Sequence, residues 1–237
     1  MNARHKRQDT RGKTEIILAL DVDSFSGAKH FVNLLYPKIR TFKVGLQLFT
    51  GCGPRIIEFI HKKGAGVFLD LKFLDIPNTV AQAVRQAVRL KVKMLTLHIA
   101  GGKEMLIAAK EAARGEALRL KLKAPRLIGV TVLTSKTNNR GLLNSVLRLS
   151  HLAKDAGLDG VVCSTLEAKF VRREFGREFI IVTPGIRLST DNKADQKRTA
   201  SAQEAINAGS NYLVIGRPIL RAQDPALRVK EILGELV

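Results

Sequence analysis

The chain has 237 residues, of which 45% are hydrophobic and 26% are charged, close to the averages of globular proteins. This composition excludes disordered and collagen-like proteins, and no apolar run approaches the roughly 18–20 residues that cross a bilayer. The charge is unusual, because 40 Lys and Arg residues against 21 Asp and Glu residues give a net charge of +19. Such a charge favours phosphate-bearing partners: nucleic acid, lipid or small anionic substrates.

Eight short β-rich runs recur along the chain, and their apolar residues are nearly continuous rather than alternating. That pattern predicts parallel strands buried on both faces. The predicted strands are residues 16–20, 41–45, 67–71, 94–98, 127–133, 160–163, 179–183 and 212–216.

Segments with helical periodicity separate these strands. Val80, Val84 and Val88 are spaced as on one face of a helix, and Pro77 suits the first turn of that helix. A glycine follows three helical runs and is predicted to end each helix: Gly64, Gly157 and Gly209.

The alternation of eight strands with helices predicts an α/β protein with a single (β/α)8 TIM barrel. The alternative is an open doubly wound sheet, which normally has a Gly-rich phosphate turn after its first strand. Here the first strand runs into Leu20-Asp-Val-Asp-Ser24, without that turn. We therefore predict a basic N-terminal tail over residues 1–14 and one catalytic barrel domain over residues 15–237.

Charged and polar residues stand at the C-terminal ends of the predicted strands, where a barrel has its active site. In chain order they are Asp21, Lys43, Asp70 with Lys72 and Asp75, His98, Thr134 with Ser135, Ser164, Arg187, and Gly216 with Arg217. Charges beside apolar strands are costly unless they are paired, which favours an interacting cluster.

The run Asp70-Leu-Lys72 is the most informative of these positions. The two-residue period of a strand predicts that Asp70 and Lys72 point to the same side, toward the barrel mouth. Lys43 lies in the preceding strand and Asp75 in the adjoining loop. Such an alternating array keeps all four groups ionised and holds an ammonium proton donor beside a carboxylate. The spacing alone leaves open whether the array is catalytic or a structural ion-pair network.

The far end of the chain supplies a candidate anion site. Loops after the seventh and eighth strands are the usual phosphate site of such barrels. Gly216 lets a ligand approach the backbone, and Arg217 and Arg187 add guanidinium groups. Gln196 lies in the loop of residues 188–198, which is predicted either to close over the phosphate as a lid or to be a plain surface loop.

Other features predict no further chemistry. Cys52 and Cys163 are too few for a disulfide framework or a zinc site, and indicate a reduced, cytoplasmic setting. His98 has no second metal-ligand candidate nearby and is predicted to be structural. The basic stretches 85–93 and 114–126 are predicted to be solvated helix faces, without the interleaved aromatic residues of a nucleic-acid stacking platform. We expect no membrane partner and no specific nucleic-acid partner.

At these residues the sequence resembles the orotidine 5′-phosphate decarboxylase family. The family's Asp-x-Lys-x-x-Asp-Ile-Pro-x-Thr signature is matched throughout by Asp70-Leu-Lys-Phe-Leu-Asp-Ile-Pro-Asn-Thr79. Similar segments follow the family's order at residues 18–21, 42–45, 98–102, 130–135, 182–187, 195–198 and 215–217. The resemblance spans about residues 16–221.

The resemblance implies removal of CO2 from orotidine 5′-monophosphate to give UMP, without a metal or an organic cofactor. Lys72 is implied to protonate C6 of the pyrimidine, with Asp70 against the substrate carboxylate and Lys43 bracing Asp70. A vinylic carbanion at C6 needs a nearby fixed cation, which a preorganised ammonium supplies.

The resemblance also implies how the substrate is held. Asp21 and Lys43 are implied to bind the ribose hydroxyls, Thr134 and Ser135 the pyrimidine edge, and Gln196, Gly216, Arg217 and Arg187 the 5′-phosphate. Family members are homodimers, so Asp75 and Thr79 are implied to enter the partner's site.

Two other functions are considered. A related sugar-phosphate lyase would need Mg2+ and lose activity with a chelator, but the sequence has no extra metal-binding carboxylate beside Asp70. A nucleic-acid-binding protein would use the +19 charge and show steeply salt-dependent binding. That function would leave Asp21, Asp70 and Asp75 unexplained.

Overall fold

The structure is a computed structural model that describes residues 14–133, 141–187 and 200–234. Eight parallel strands close into a barrel in chain order, with the eighth strand paired to the first. They are β1 (Glu15–Ala19), β2 (Thr41–Gly45), β3 (Gly66–Phe73), β4 (Met94–His98), β5 (Arg126–Val130), β6 (Gly160–Val162), β7 (Ile180–Pro184) and β8 (Tyr212–Ile215). The predicted TIM barrel is confirmed, and the alternative of an open sheet is wrong.

Helices connect the strands around the outside of the barrel. They are α1 (Phe25–Leu35), α2 (Leu46–Cys52), α3 (Arg55–Lys62), α4 (Pro77–Arg89), α5 (Gly102–Arg119), α6 (Leu142–Asp155), α7 (Thr165–Phe175), α8 (Ala202–Asn207), α9 (Arg217–Leu220) and α10 (Pro225–Gly234). Pro77 opens α4 as predicted. Gly64, Gly157 and Gly209 follow α3, α6 and α8 with φ of 84°, 79° and 89°, the left-handed backbone that ends a helix.

The largest difference in strand bounds concerns β5, which ends at Val130 although the apolar run continues to residue 133. Its neighbour β6 ends at Val162, the partner of Val130, so the ladder has no further strand to pair with. The Thr131 hydroxyl donates instead to the Val162 carbonyl at 2.7 Å. The residues beyond β5 are thereby released to line the barrel mouth.

Two apolar clusters hold the barrel together. The larger one packs the helices against the outer face of the strands. The smaller one fills the barrel interior and consists of Ile17, Ala19, Phe68, Met94, Ile128, Val182 and Val214. Burying a side chain such as Phe68 contributes about 1.5–3 kcal/mol. This inner cluster fills the barrel centre, and space for a ligand lies above it, at the C-terminal ends of the strands.

The described loops at the two ends of the barrel differ in charge. In the described part of the chain, the helix-to-strand loops carry eight basic residues against Asp159 and Glu178. The eight are Lys38, Arg40, Lys63, Lys91, Lys93, Lys121, Lys123 and Arg177. The described strand-to-helix loops carry Asp21, Asp23 and Asp75 against Arg187. The described helix-to-strand loops therefore carry a net charge of +6, and the described strand-to-helix loops a net charge of −2.

Within the three described ranges, no helix is long and apolar enough to cross a membrane.

Candidate active site

A pocket of about 220 Å³ opens at the C-terminal ends of the strands. Its floor is formed by Ala19, Phe68, Val182 and Val214 of the inner apolar cluster. Its charged and polar lining comes from β1 to β3 and from β7 to α9: Asp21, Lys43, Asp70, Lys72, Arg187, Gly216 and Arg217. An apolar floor beneath a few convergent charges is typical of a small-molecule site.

Four of these side chains form a linear chain of alternating charge. The Lys43 Nζ lies 3.1 Å from the Asp21 Oδ1 and 3.5 Å from the Asp70 Oδ2. The Lys72 Nζ lies 2.9 Å from the Asp70 Oδ1. The two inner charges, Lys43 and Asp70, therefore each have two neighbours of opposite charge.

The strand period explains how Lys43 reaches the pocket. In β2, Phe42 and Val44 face outward and belong to the larger apolar cluster. Lys43 lies between them and so points into the barrel, where 12% of its side chain is exposed. Gly45 follows at the strand end, and a Cβ there would lie only 3.1 Å from the Lys43 Nζ. A side chain at position 45 would thus crowd the ammonium.

Asp70 is the carboxylate between the two ammonium groups, and its side chain is 13% exposed. Burial acts to raise the pKa of Asp70, but the charges of Lys43 and Lys72 and hydrogen bonds from Lys72 and Thr96 outweigh it, so that the pKa lies below its usual value. Asp70 is therefore ionised at neutral pH despite its burial.

The Lys72 ammonium reaches the Asp70 carboxylate because β3 is irregular at these residues. The regular two-residue alternation predicted for this strand is not present there. Lys72 has a left-handed backbone with φ of 50°. The pairing of β3 with β4 moves from Leu69↔Leu95 to Phe73↔Leu97, which leaves residues 70–72 opposite a single β4 residue. Bulges of this kind re-aim side chains beside active sites. The proximity of Asp70 and Lys72 thus depends on the bulge and not on a regular pleat.

In this single chain Asp75 lies outside the cluster, so the predicted Lys43-Asp70-Lys72-Asp75 array is not formed within one subunit. Its carboxylate is exposed, and its Oδ1 accepts a hydrogen bond from the backbone N–H of Ile76 at 2.7 Å. Among the described residues of this one chain it forms no ion pair, and Asp21 takes the outer acidic place in the array. Thr79, on the first turn of α4, is exposed as well.

Arg187, Gly216 and Arg217 line the same pocket as the charged cluster. The backbone N–H of Arg187 donates to the Ala200 carbonyl at 2.9 Å, which fixes the chain just beyond β7. A Cβ at Gly216 would lie 3.1 Å from the Asp21 Oδ2, so glycine keeps this edge of the pocket open. Thr134, Ser135, Gln196 and the loop of residues 188–198 lie outside the described residues.

The remaining strand-end residues have structural contacts. The His98 Nδ1 accepts a hydrogen bond from the Ala100 N–H at 3.3 Å, at the start of the 3-10 turn Ile99–Gly101. Ser164 caps α7 through Glu167. No group of three or more His, Cys, Asp or Glu side chains able to hold a metal ion occurs in residues 14–133, 141–187 and 200–234.

Sequence reasoning missed Thr96, which lies within β4 and is 1% exposed. Its hydroxyl contacts both Asp70 and the backbone of Lys72. The one signal in the sequence is a hydroxyl residue inside an otherwise apolar strand, and the sequence does not show which residues it faces.

The model of the "Orotidine 5′-phosphate decarboxylase / HUMPS family" matches residues 14–232. The orotidine 5′-phosphate decarboxylase of Moorella thermoacetica is 46% identical over 94% of this chain and 92% of its own length. That of Vibrio cholerae is 45% identical over 94% of this chain and 98% of its own length. The crystal structure of orotidine 5′-phosphate decarboxylase from Lactobacillus acidophilus superposes with a TM-score of 0.82 at 33% identity, covering 94% of this chain and 99% of that one.

Proposed function

This chain belongs to the orotidine 5′-phosphate decarboxylase / HUMPS family, and from that membership we infer that it removes CO2 from orotidine 5′-monophosphate to give UMP. The observation that carries the mechanism is the Lys72 ammonium, held 2.9 Å from the buried Asp70 carboxylate at the pocket. That pair offers a proton donor and a fixed negative charge in one place.

The reaction breaks the bond between C6 of the pyrimidine and its carboxylate. The electron pair of that bond stays on C6, and CO2 leaves. We assign the next step to Lys72, whose ammonium donates a proton to C6 and then regains one from solvent. An ammonium fixed before the reaction stabilises the developing charge on C6 without reorganisation of solvent.

Asp70 would lie against the substrate carboxylate. Because its pKa is lowered, Asp70 stays charged at neutral pH, and the two carboxylates repel each other in the bound state. The repulsion falls as CO2 departs, so it adds to the driving force for the step. Lys43 would hold Asp70 in this position from the other side, at 3.5 Å.

Further residues would bind the rest of the substrate. Asp21 and Lys43 would contact the ribose hydroxyls, Arg187, Gln196, Gly216 and Arg217 the phosphate, and Thr134 and Ser135 the pyrimidine edge. The two arginines of the pocket support the phosphate assignment, since guanidinium groups match phosphate oxygens. Binding energy from the remote phosphate would be used to lower the barrier at C6.

We propose a homodimer in which Asp75 and Thr79 complete the partner's site. The support is the surface around Asp75, because the flanking Leu74 and Ile76 are 53% and 67% exposed in the single chain. Exposed apolar side chains around a carboxylate are what a subunit interface covers. Asp75 would then be the fourth charge of the array, supplied from the other subunit.

The proposal includes no metal, no organic cofactor and no specific nucleic-acid partner. We also propose a cytoplasmic location. It is supported by Cys52 and Cys163, both within the described residues, neither of which is in a disulfide.

A decarboxylation assay tests the proposed function. Purified protein, treated with EDTA and kept in EDTA, is mixed with orotidine 5′-monophosphate, and the loss of substrate is followed by ultraviolet absorbance. We expect rapid conversion to UMP at the same rate with and without EDTA. Activity that appears only after Mg2+ is added would contradict the metal-free mechanism, and no turnover by the folded protein would contradict the function. Sugar phosphates with Mg2+ would then be the next substrates to assay.

A further inference from the structure

Thr96 of β4 lies beneath the bulge of β3 that carries Asp70 and Lys72. Its side chain is buried, with 1% of the residue exposed. On β4 it stands between Leu95 and Leu97, whose partners on β3 are Leu69 and Phe73. Thr96 is therefore the β4 residue that faces the three residues of the bulge.

The Thr96 hydroxyl makes two hydrogen bonds, one as acceptor and one as donor. It accepts from the backbone N–H of Lys72 at 2.8 Å and donates to the Asp70 Oδ1 at 3.0 Å. The same Asp70 oxygen accepts from the Lys72 Nζ at 2.9 Å. One hydroxyl and one carboxylate oxygen thus connect the backbone of Lys72 to its own ammonium in a closed ring of hydrogen bonds.

The backbone of Lys72 needs this support. A left-handed conformation is unfavourable for a residue with a Cβ, and a backbone N–H that is shielded from water without a partner adds a further cost. In a regular ladder the Lys72 N–H would bond to a carbonyl of the neighbouring strand. Here the bulge removes that partner, and the Thr96 hydroxyl takes its place.

We propose that Thr96 is the positioning residue of the catalytic ammonium: its hydroxyl holds the β3 bulge, and so fixes where the Lys72 Nζ lies relative to C6 of the substrate. This inference rests on the proposed function and adds a residue to it. Thr96 touches no reacting atom. It acts through the backbone of Lys72 and through Asp70, which is also held by Lys43, itself paired with Asp21.

The test compares Thr96→Val, which keeps the branched shape but lacks the hydroxyl, with Thr96→Ser, which keeps the hydroxyl. We expect Thr96→Val to lower kcat about 100-fold with little change in KM, because misplacement of a reacting group by about 1 Å has an effect of that size. We expect Thr96→Ser to remain within about 5-fold of wild type. In Thr96→Val the pKa of Asp70 rises, because the carboxylate loses a donor, so the acid limb of the kcat profile moves to higher pH.

A double-mutant cycle separates positioning from a general loss of stability. If Thr96 acts through Lys72, adding Thr96→Val to Lys72→Ala lowers the residual rate by less than about 3-fold. A further drop of about 100-fold on that background, or an unchanged kcat in Thr96→Val alone, would overturn the proposal.

Crystal structures of both variants give a readout that does not depend on turnover. We expect φ of Lys72 to leave the left-handed region in Thr96→Val and to keep it in Thr96→Ser. An unchanged Lys72 backbone in Thr96→Val would refute the proposal. Wild-type protein assayed in parallel separates the test of the proposed function from the test of Thr96. If the wild type does not turn over substrate, the proposed function is contradicted. The variant structures decide the role of Thr96 in either case.

Discussion

Replacing Lys72 by alanine lowers kcat by at least about 10⁴-fold, because one change removes both the proton donor and the fixed cation next to C6. The barrel stays folded, since the Lys72 side chain is 34% exposed and Asp70 keeps Lys43 as a partner. The measurement is the rate of UMP formation, with circular dichroism to show that the fold persists.

Lys93→Ala is a matched control for this variant. Lys93 is 37% exposed and its Nζ lies 2.9 Å from a Glu15 carboxylate oxygen, so its exposure and pairing resemble those of Lys72. It lies at the N-terminal end of the barrel, just before β4. We expect Lys93→Ala to keep nearly full kcat. Substantial turnover by Lys72→Ala would refute the role assigned to Lys72.

Mixing two inactive variants restores activity if Asp75 serves the partner's site. Lys72→Ala and Asp75→Asn each leave every site of their own homodimers incomplete. A heterodimer of the two has one site in which both changes meet and one site in which Lys72 and Asp75 are intact. After subunit exchange in an equimolar mixture, about half the dimers are heterodimers, so we expect about a quarter of wild-type activity.

The control for this experiment is a mixture of Lys72→Ala with Asp70→Asn. Asp70 and Lys72 belong to the same chain's site, 2.9 Å apart, so each site of the heterodimer lacks one of them. We expect no recovery from this mixture. Recovery here, or none from Lys72→Ala with Asp75→Asn, would contradict the exchange of Asp75 between subunits.

The barrel could be predicted from the sequence because its signals are local. Continuous apolar runs such as residues 94–98, and glycines such as Gly157 at helix ends, occur within a few residues of the elements they specify. The predicted C-terminal end of β5 is wrong because a neighbouring strand, and not the local sequence, determines where β5 ends. Val132 and Leu133 are as apolar as the strand before them, and only the end of β6 excludes them from the sheet.

The contacts within the candidate site depend on residues distant in sequence. Asp21 joins the charge cluster because β1 pairs with β2, which brings Lys43 within 3.1 Å of it. The backbone of Lys72 depends on Thr96, a residue of the next strand. Spacing along the chain could suggest that Asp70 and Lys72 are neighbours, but it contains no information on the bulge that brings them together.

A crystal structure of the protein with UMP bound tests the central claim that the charge cluster is the reaction centre. We expect the pyrimidine to lie with C6 within about 3.5 Å of the Lys72 Nζ. We expect the ribose beside Asp21 and Lys43, and the phosphate at Arg187 and Arg217. UMP bound with its phosphate at Lys72, or bound outside this pocket, would contradict the account.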